Sequence, residues 1–329
     1  MRRIIKLKEV NRFNIWCALL IVFLTVQLLP SNALYAQLKG DHLLGSAGLQ
    51  SGTQAPPGLV LVDIPLYLYN TSNLKDNAGN TLFSDFSLTS YAFAPGLSWV
   101  TNTKILGGNL GGSVLVPFIS NKIESTNKNT RSSFALSDMF LQPVTLGWHA
   151  KQADYITSFS LYIPTGNYSF NGTDNSGLGM WGYEFSGGST VYFDPEKTFS
   201  LAALLSYEFN GKKKNTDIRV GNLLSIEGGL GKTFYKKVQG PVPIIINVGA
   251  SYYMQFKTTN DQIPTGQLAI DFKKDHTYGI GPEGNIFIPS LKSLFAVRWL
   301  FETGTVNRFQ GSTFLLTWAF NIKSFKQAK

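Results

Sequence analysis

Cysteine and histidine are nearly absent from this 329-residue chain: Cys17 stands alone, and His42, His149 and His276 lie far apart. One thiol makes no disulfide framework, and three separated imidazoles match no metal-ligand spacing. Charge is scarce too, with Asp, Glu, Lys and Arg making up only 15% of the residues. After residue 36 no run approaches the ~18 consecutive apolar residues of a membrane-spanning helix, and no period of 3.6 stands out. The serine nucleophile motif G-x-S-x-G is missing. His276 follows Asp275, but adjacent strand residues point to opposite faces, which makes a dyad of the two awkward. The chain is therefore predicted to be no enzyme and to hold no cofactor and no metal.

What is abundant is glycine, at 32 positions, and aromatic residues, at 13%. Gly177-Leu-Gly179-Met-Trp-Gly182 spells a dinucleotide pattern, but a polar loop precedes it and an aromatic strand follows. Pyrophosphate binding needs a strand before and a helix after, so these glycines are read as a loop-to-strand bend.

Residues 1–36 read as a signal peptide. Arg2, Arg3, Lys6, Lys8 and Arg12 form a basic start, Ile15 to Leu29 an apolar run shorter than the ~20 residues of a spanning helix, and Pro30 ends it. Small residues place cleavage after Ala33 or Ala36. The remaining chain carries 24 Lys and Arg against 19 Asp and Glu, a diffuse +5 that gives no reason to expect nucleic acid.

Beyond the leader the recurring period is two. Phe314, Leu316, Trp318 and Phe320 share one face, with Thr313, Thr317 and Asn321 on the other; 242–257 and 181–193 repeat the pattern. Marking such runs predicts about twelve strands near 59–70, 84–99, 105–119, 138–149, 153–164, 180–193, 198–209, 218–234, 242–257, 276–288, 293–302 and 311–321. Long polar connections (71–83, 120–137, 165–179, 258–275) tend to alternate with short ones (100–104, 150–152, 194–197, 235–241, 289–292). Short periplasmic turns and long external loops give a membrane barrel this asymmetry. A soluble sandwich would show the same periodicity. Strand number, strand length and end aromatics (Trp99, Trp148, Tyr162, Tyr168, Trp181, Tyr207) favour a transmembrane antiparallel β-barrel, all-β, over residues 59–321.

Several stretches then resemble a known family of outer-membrane proteins, named after the meta-cleavage pathway of phenol degradation. They are Asp138-Met-Phe-Leu-Gln-Pro-Val-Thr-Leu-Gly-Trp148, Tyr162-Ile-Pro-Thr-Gly-Asn-Tyr168, Gly177-Leu-Gly-Met-Trp181, Tyr207-Glu-Phe-Asn210 and Gly279-Ile-Gly-Pro-Glu283, with Ser51-Gly-Thr53 and Pro57-Gly58 near the start. The resemblance implies an outer-membrane barrel that passes small, hydrophobic or aromatic molecules, and supplies no catalytic set.

The expected lumen-lining residues are Asp63, Glu184, Glu208, Tyr253, Gln255, Arg298 and Glu302, each opposite its strand's apolar face. They either line a pore and set its selectivity or pair with one another to fill a narrow barrel. Residues 37–58, without strand pattern, are expected to be a periplasmic arm or a plug, and 322–329 a basic tail. Expected partners are outer-membrane lipids, lipopolysaccharide (which Lys212 to Lys214 would contact from a solvated loop tip) and a small solute.

Overall fold

The computed structural model describes residues 38–82, 86–125, 128–170, 172, 174–240, 242–264 and 274–325. The expected signal peptide, residues 1–36, lies outside the described residues. Fifteen β segments follow in chain order. They are β1 (Gly58–Leu74), β2 (Ser87–Ile105), β3 (Gly108–Leu115), β4 (Phe118–Ser125), β5 (Lys128–Arg131), β6 (Ala135–Leu136), β7 (Met139–His149), β8 (Ala153–Ile163), β9 (Gly182–Tyr192), β10 (Phe199–Asn210), β11 (Leu223–Lys236), β12 (Ile244–Lys257), β13 (His276–Ile288), β14 (Ser293–Val306) and β15 (Phe309–Ser324).

Every pairing is antiparallel, and β1 pairs with both β2 and β15, so the sheet closes on itself. β3 and β4 both pair with β2 and form one strand interrupted at Val116-Pro117, since proline has no N–H for the ladder. β5, β6 and β7 likewise make one interrupted strand against them. The result is a closed antiparallel barrel of twelve strands. Closure pairs the backbone all round and leaves no edge.

Alternation between the two faces follows the pleat. In β9, Glu184, Ser186 and Thr190 are buried while Tyr183, Phe185 and Val191 are exposed; in β14, Arg298, Leu300 and Glu302 are buried while Val297, Trp299 and Phe301 are exposed. The apolar side chains thus face out and the ionised ones in. Tyr162, expected among the end aromatics, is a correction: it shares the phase of Ser158 and Ser160, faces inward and donates its hydroxyl to Glu184.

The two ends differ. One carries the short connections 106–107, 150–152, 193–198, 237–243 and 289–292 together with the start of β1; the other carries the long ones, 75–86, 164–181, 211–222 and 258–275, along with the two-residue links 126–127 and 307–308. Residues 120–137 were expected to be loop, yet β4 runs to Ser125 and β5 returns from Lys128, pairing Lys122 with Arg131. Ile123 is the one apolar residue between Ser120 and Ser133 among the described residues, so the alternation that marks a strand is lost while the backbone ladder continues. β15 also extends through Ser324 into the expected tail. At the 106–107 turn both Leu106 (φ 51) and Gly107 (φ 81) are left-handed, the requirement of a type I′ hairpin.

Candidate functional site

The interior is built around residues 38–57, which contain no strand and run lengthwise through the barrel. At the long-loop end, Lys257 Nζ donates to Leu38 O at 2.9 Å. Just below, the backbone N–H groups of Asp41 and His42 donate to Glu208 at 2.9 and 3.2 Å. Midway, Leu49 N–H donates to Glu283 Oε2 at 3.1 Å, and Arg298 Nη1 donates to Ser46 O at 2.8 Å. Near the short-turn end, Thr53 Oγ1 donates to Asp154 Oδ2 at 3.1 Å and Gln54 Nε2 to Asn109 O at 3.1 Å. The partners come from β3, β8, β10, β12, β13 and β14, distributed round the circumference, so the segment occupies the inside.

His42 carries the main electrostatic link. Its Nδ1 lies 2.6 Å from Glu184 Oε2 and its Nε2 3.0 Å from Glu227 Oε2. Burial alone lowers the imidazole's pKa, but Glu184 and then Glu227 override it and hold the group well above the ordinary imidazole value. Glu184 and Glu208 are direct cross-strand partners, an arrangement that repels unless a donor lies between them. Three leucines add apolar anchorage: Leu44 beside Tyr253 and Leu300, Leu43 against Ile64 and Leu315, and Leu49, 1% exposed. Full burial of such a side chain contributes about 1.5–3 kcal/mol.

Six of the seven expected lumen residues point inward. Glu184 and Glu208 hold the segment as described. Arg298 Nε reaches Glu283 Oε2 at 2.7 Å, with Nη2 donating to Oε1 at 3.1 Å. Glu302 accepts from Tyr69 (2.8 Å) and Tyr253 (3.0 Å), and Gln255 donates to Ser225 Oγ while accepting from Arg308 Nη1 at 2.8 Å.

Asp63 is the exception. A β-bulge between Asp63 and Leu66, at Ile64-Pro65, inserts one residue and inverts the face of everything before it. Asp63 therefore shares a row with Trp318 and, one strand further, Phe295, 41% exposed; Ile64 takes the inward position.

Sequence reasoning missed His42, Glu227, Glu283, Lys257 and Arg308. Glu227 shares the parity of Ser225 and Thr233 against Leu224, Ile226 and Phe234, a signal masked by the glycines around it. Lys213 is also corrected: it is no solvated tip but a buried side chain donating to Leu178 O at 2.8 Å beneath Tyr168, and burial pushes its pKa down to about 8.

Among the described residues no cluster of His, Cys, Asp or Glu has metal-holding geometry. Asp275 faces inward to Lys257 and Arg308, whereas His276 pairs in register with outward Phe256, so the two diverge. Gly177–Gly182 opens a strand, not a helix.

A solved outer membrane channel from Pseudomonas putida F1 superposes with a TM-score of 0.66, at 14% identity, covering 86% of this chain and 99% of that chain. The β domain of the Bordetella autotransporter Brka gives 0.48 at 11% identity, covering 81% and 100%. The transport unit of the Escherichia coli autotransporter AIDA-I gives 0.45 at 10%, covering 89% and 95%. At such identity the first likeness establishes the fold alone. No curated protein matches the sequence. Residues 71–318 match the model of the family described as "Putative MetA-pathway of phenol degradation", and the chain belongs to that family.

Proposed function

We propose that this protein is an outer-membrane channel for small solutes, closed in the present conformation by residues 38–57. The observation that carries the reading is the segment itself: a strandless stretch that threads a closed barrel and is held by polar groups of its inner wall. A barrel built only as a scaffold could fill its lumen with side chains from its own strands. A separate segment, tethered at Gly58 and held by hydrogen bonds and three leucines, is an element that can leave. The outward band of Phe185, Val297, Trp299 and Phe301 suits hydrocarbon, and membrane lipids, with lipopolysaccharide at the long-loop end, are the proposed surroundings. The solute is taken to be small and at least partly apolar, in keeping with the family.

Single-channel recording in planar bilayers tests this. Deletion of residues 38–56 is expected to convert rare, brief openings into a sustained conductance. If that deletion prevents insertion, His42→Ala combined with Leu44→Ala keeps the chain and raises open frequency. Conductance equal to protein-free bilayers throughout overturns the channel. The dense bonding of the segment favours one second reading, a permanently sealed structural or surface-binding barrel, which stays heat-modifiable on gels yet silent in every recording.

A further inference from the structure

Leu49 is seated differently from the other two leucines of the segment. Leu43 and Leu44 meet side chains of the wall, whereas Leu49 rests on bare backbone. A Cβ placed on Gly229, Gly231 or Gly249 would come within 2.8, 3.2 and 2.8 Å of its Cδ2. Gly231 and Gly249 are direct cross-strand partners, and Gly229 is the next inward position of β11. Three neighbouring inward positions therefore lack side chains, and the hollow they leave fits an isobutyl group. Two carboxylates rim it. Glu283 is the register partner of Gly249 and accepts both Leu49 N–H and the Ser251 hydroxyl. Glu227, two residues before Gly229, accepts Gly45 N–H at 2.5 Å.

We propose that this glycine-floored hollow is a binding subsite for the apolar end of a permeating solute, and that its rim favours solutes bearing a hydroxyl or ammonium over carboxylates. The inference rests on the channel reading and names the solute class of that same lumen. Residues 45–49 act as an internal surrogate: an apolar side chain in the hollow, flanked by N–H donors aimed at carboxylates. A solute that replaces them has to supply the same pattern. A hydroxyl or ammonium satisfies Glu283 and Glu227, which otherwise lose a partner in a poorly hydrated site. A carboxylate adds a like charge to both, and to Glu184 and Glu208, which lose His42 when the segment withdraws. Arg298 stays paired with Glu283, which balances its charge, while its Nη1, released from Gly45 O and Ser46 O, becomes a donor that a hydroxyl oxygen also satisfies.

Fluorine NMR titration of the purified full chain with 4-fluorobenzyl alcohol, 4-fluorobenzylamine and 4-fluorobenzoate tests the proposal, the three probes sharing one ring. Leu49→Ala combined with His42→Ala and Leu44→Ala empties the hollow and loosens the hold of the segment, so that a probe can displace its N–H donors from Glu283 and Glu227. This variant is expected to bind the alcohol and the amine at least tenfold more tightly than the benzoate. Adding Gly231→Val refills the hollow, because the three atoms nearest that Cβ all belong to Leu49, and abolishes the gain. Leu49→Val in place of Leu49→Ala, a milder truncation, keeps the same order of preference should the first variant fold poorly. Equal binding of all three probes, or binding indifferent to Gly231→Val, overturns the subsite. Because the readout is binding and not flux, ordered binding in a protein that never conducts sinks the channel and spares the subsite. A conducting protein without ordered binding does the reverse.

Discussion

His42 Nδ1 lies 2.6 Å from Glu184 Oε2, a contact that joins the N-terminal segment to the barrel wall across 142 positions of sequence. The same ring reaches Glu227 on its other nitrogen, and Glu208 takes the backbone N–H. One residue thus meets carboxylates from three consecutive strands: its imidazole bonds those of β9 and β11, and its backbone N–H that of β10.

The link has a pH dependence of definite sign. The pKa of His42 is raised on folding, so its contribution is fully present below the unfolded value of about 6.5 and is lost as pH rises through the raised folded value. Groups facing it are Glu184, Glu208 and Glu227, with Asp41 adjacent and Tyr162 bonded to Glu184. Open probability in bilayers is expected to be low at pH 6 and to climb on the alkaline side, and His42→Ala to remove that climb. A profile identical in the wild type and the variant contradicts the assignment.

Arg298 and Glu283 are expected to couple strongly. Arg298→Ala leaves Glu283 buried without its cation, a loss of roughly 3–5 kcal/mol. Arg298→Met combined with Glu283→Gln recovers most of it, since neither charge is then stranded. Urea midpoints of Arg298→Met, Glu283→Gln and the double variant, read as a double-mutant cycle, measure the coupling.

Asp63 distinguishes register from alternation. Having an outward carboxylate with one buried oxygen that lacks a hydrogen bond, Asp63→Asn is expected to leave ion selectivity unchanged and stability equal or higher. Glu227→Gln, inside, is expected to shift the reversal potential toward weaker cation preference. A selectivity change for Asp63→Asn would place that side chain in the lumen after all.

Leu106 occupies a left-handed position although it is 87% exposed, so its side chain packs on little. Leu106→Asn is expected to stabilise the hairpin by about 1 kcal/mol, because left-handed backbone costs a branched L-residue ~1–2 kcal/mol and asparagine less. The bond from Trp148 Nε1 goes to the Leu106 carbonyl at 3.0 Å and survives. Thermal midpoints in detergent test it.

Val297→Arg tests the inside-out arrangement. Val297 is 41% exposed on the outward face, beside inward Arg298. Arginine there costs about 2–4 kcal/mol if the face meets hydrocarbon near the midplane. A soluble barrel would tolerate it with no change in the unfolding midpoint.

The sequence by itself determined the strand number, the phase of nearly every strand and the asymmetry of the two ends. Those are local properties: a period of two marks which residues share a face, and polar interruptions mark where a chain turns. Glu184, Glu208, Arg298 and Glu302 were legible for that reason. Tertiary structure decided the rest. A bulge at Ile64-Pro65 inverted Asp63 without changing a letter of the pattern, because alternation counts residues whereas a face is set by pairing with β15 and β2. Residues 38–57 have no periodicity to read, since their partners are dispersed over six or more strands and none lies near them in sequence. Only closure of the barrel brings His42 to Glu184 and Glu227, and Leu49 to a floor of glycines that the pairing of β11 with β12 sets side by side.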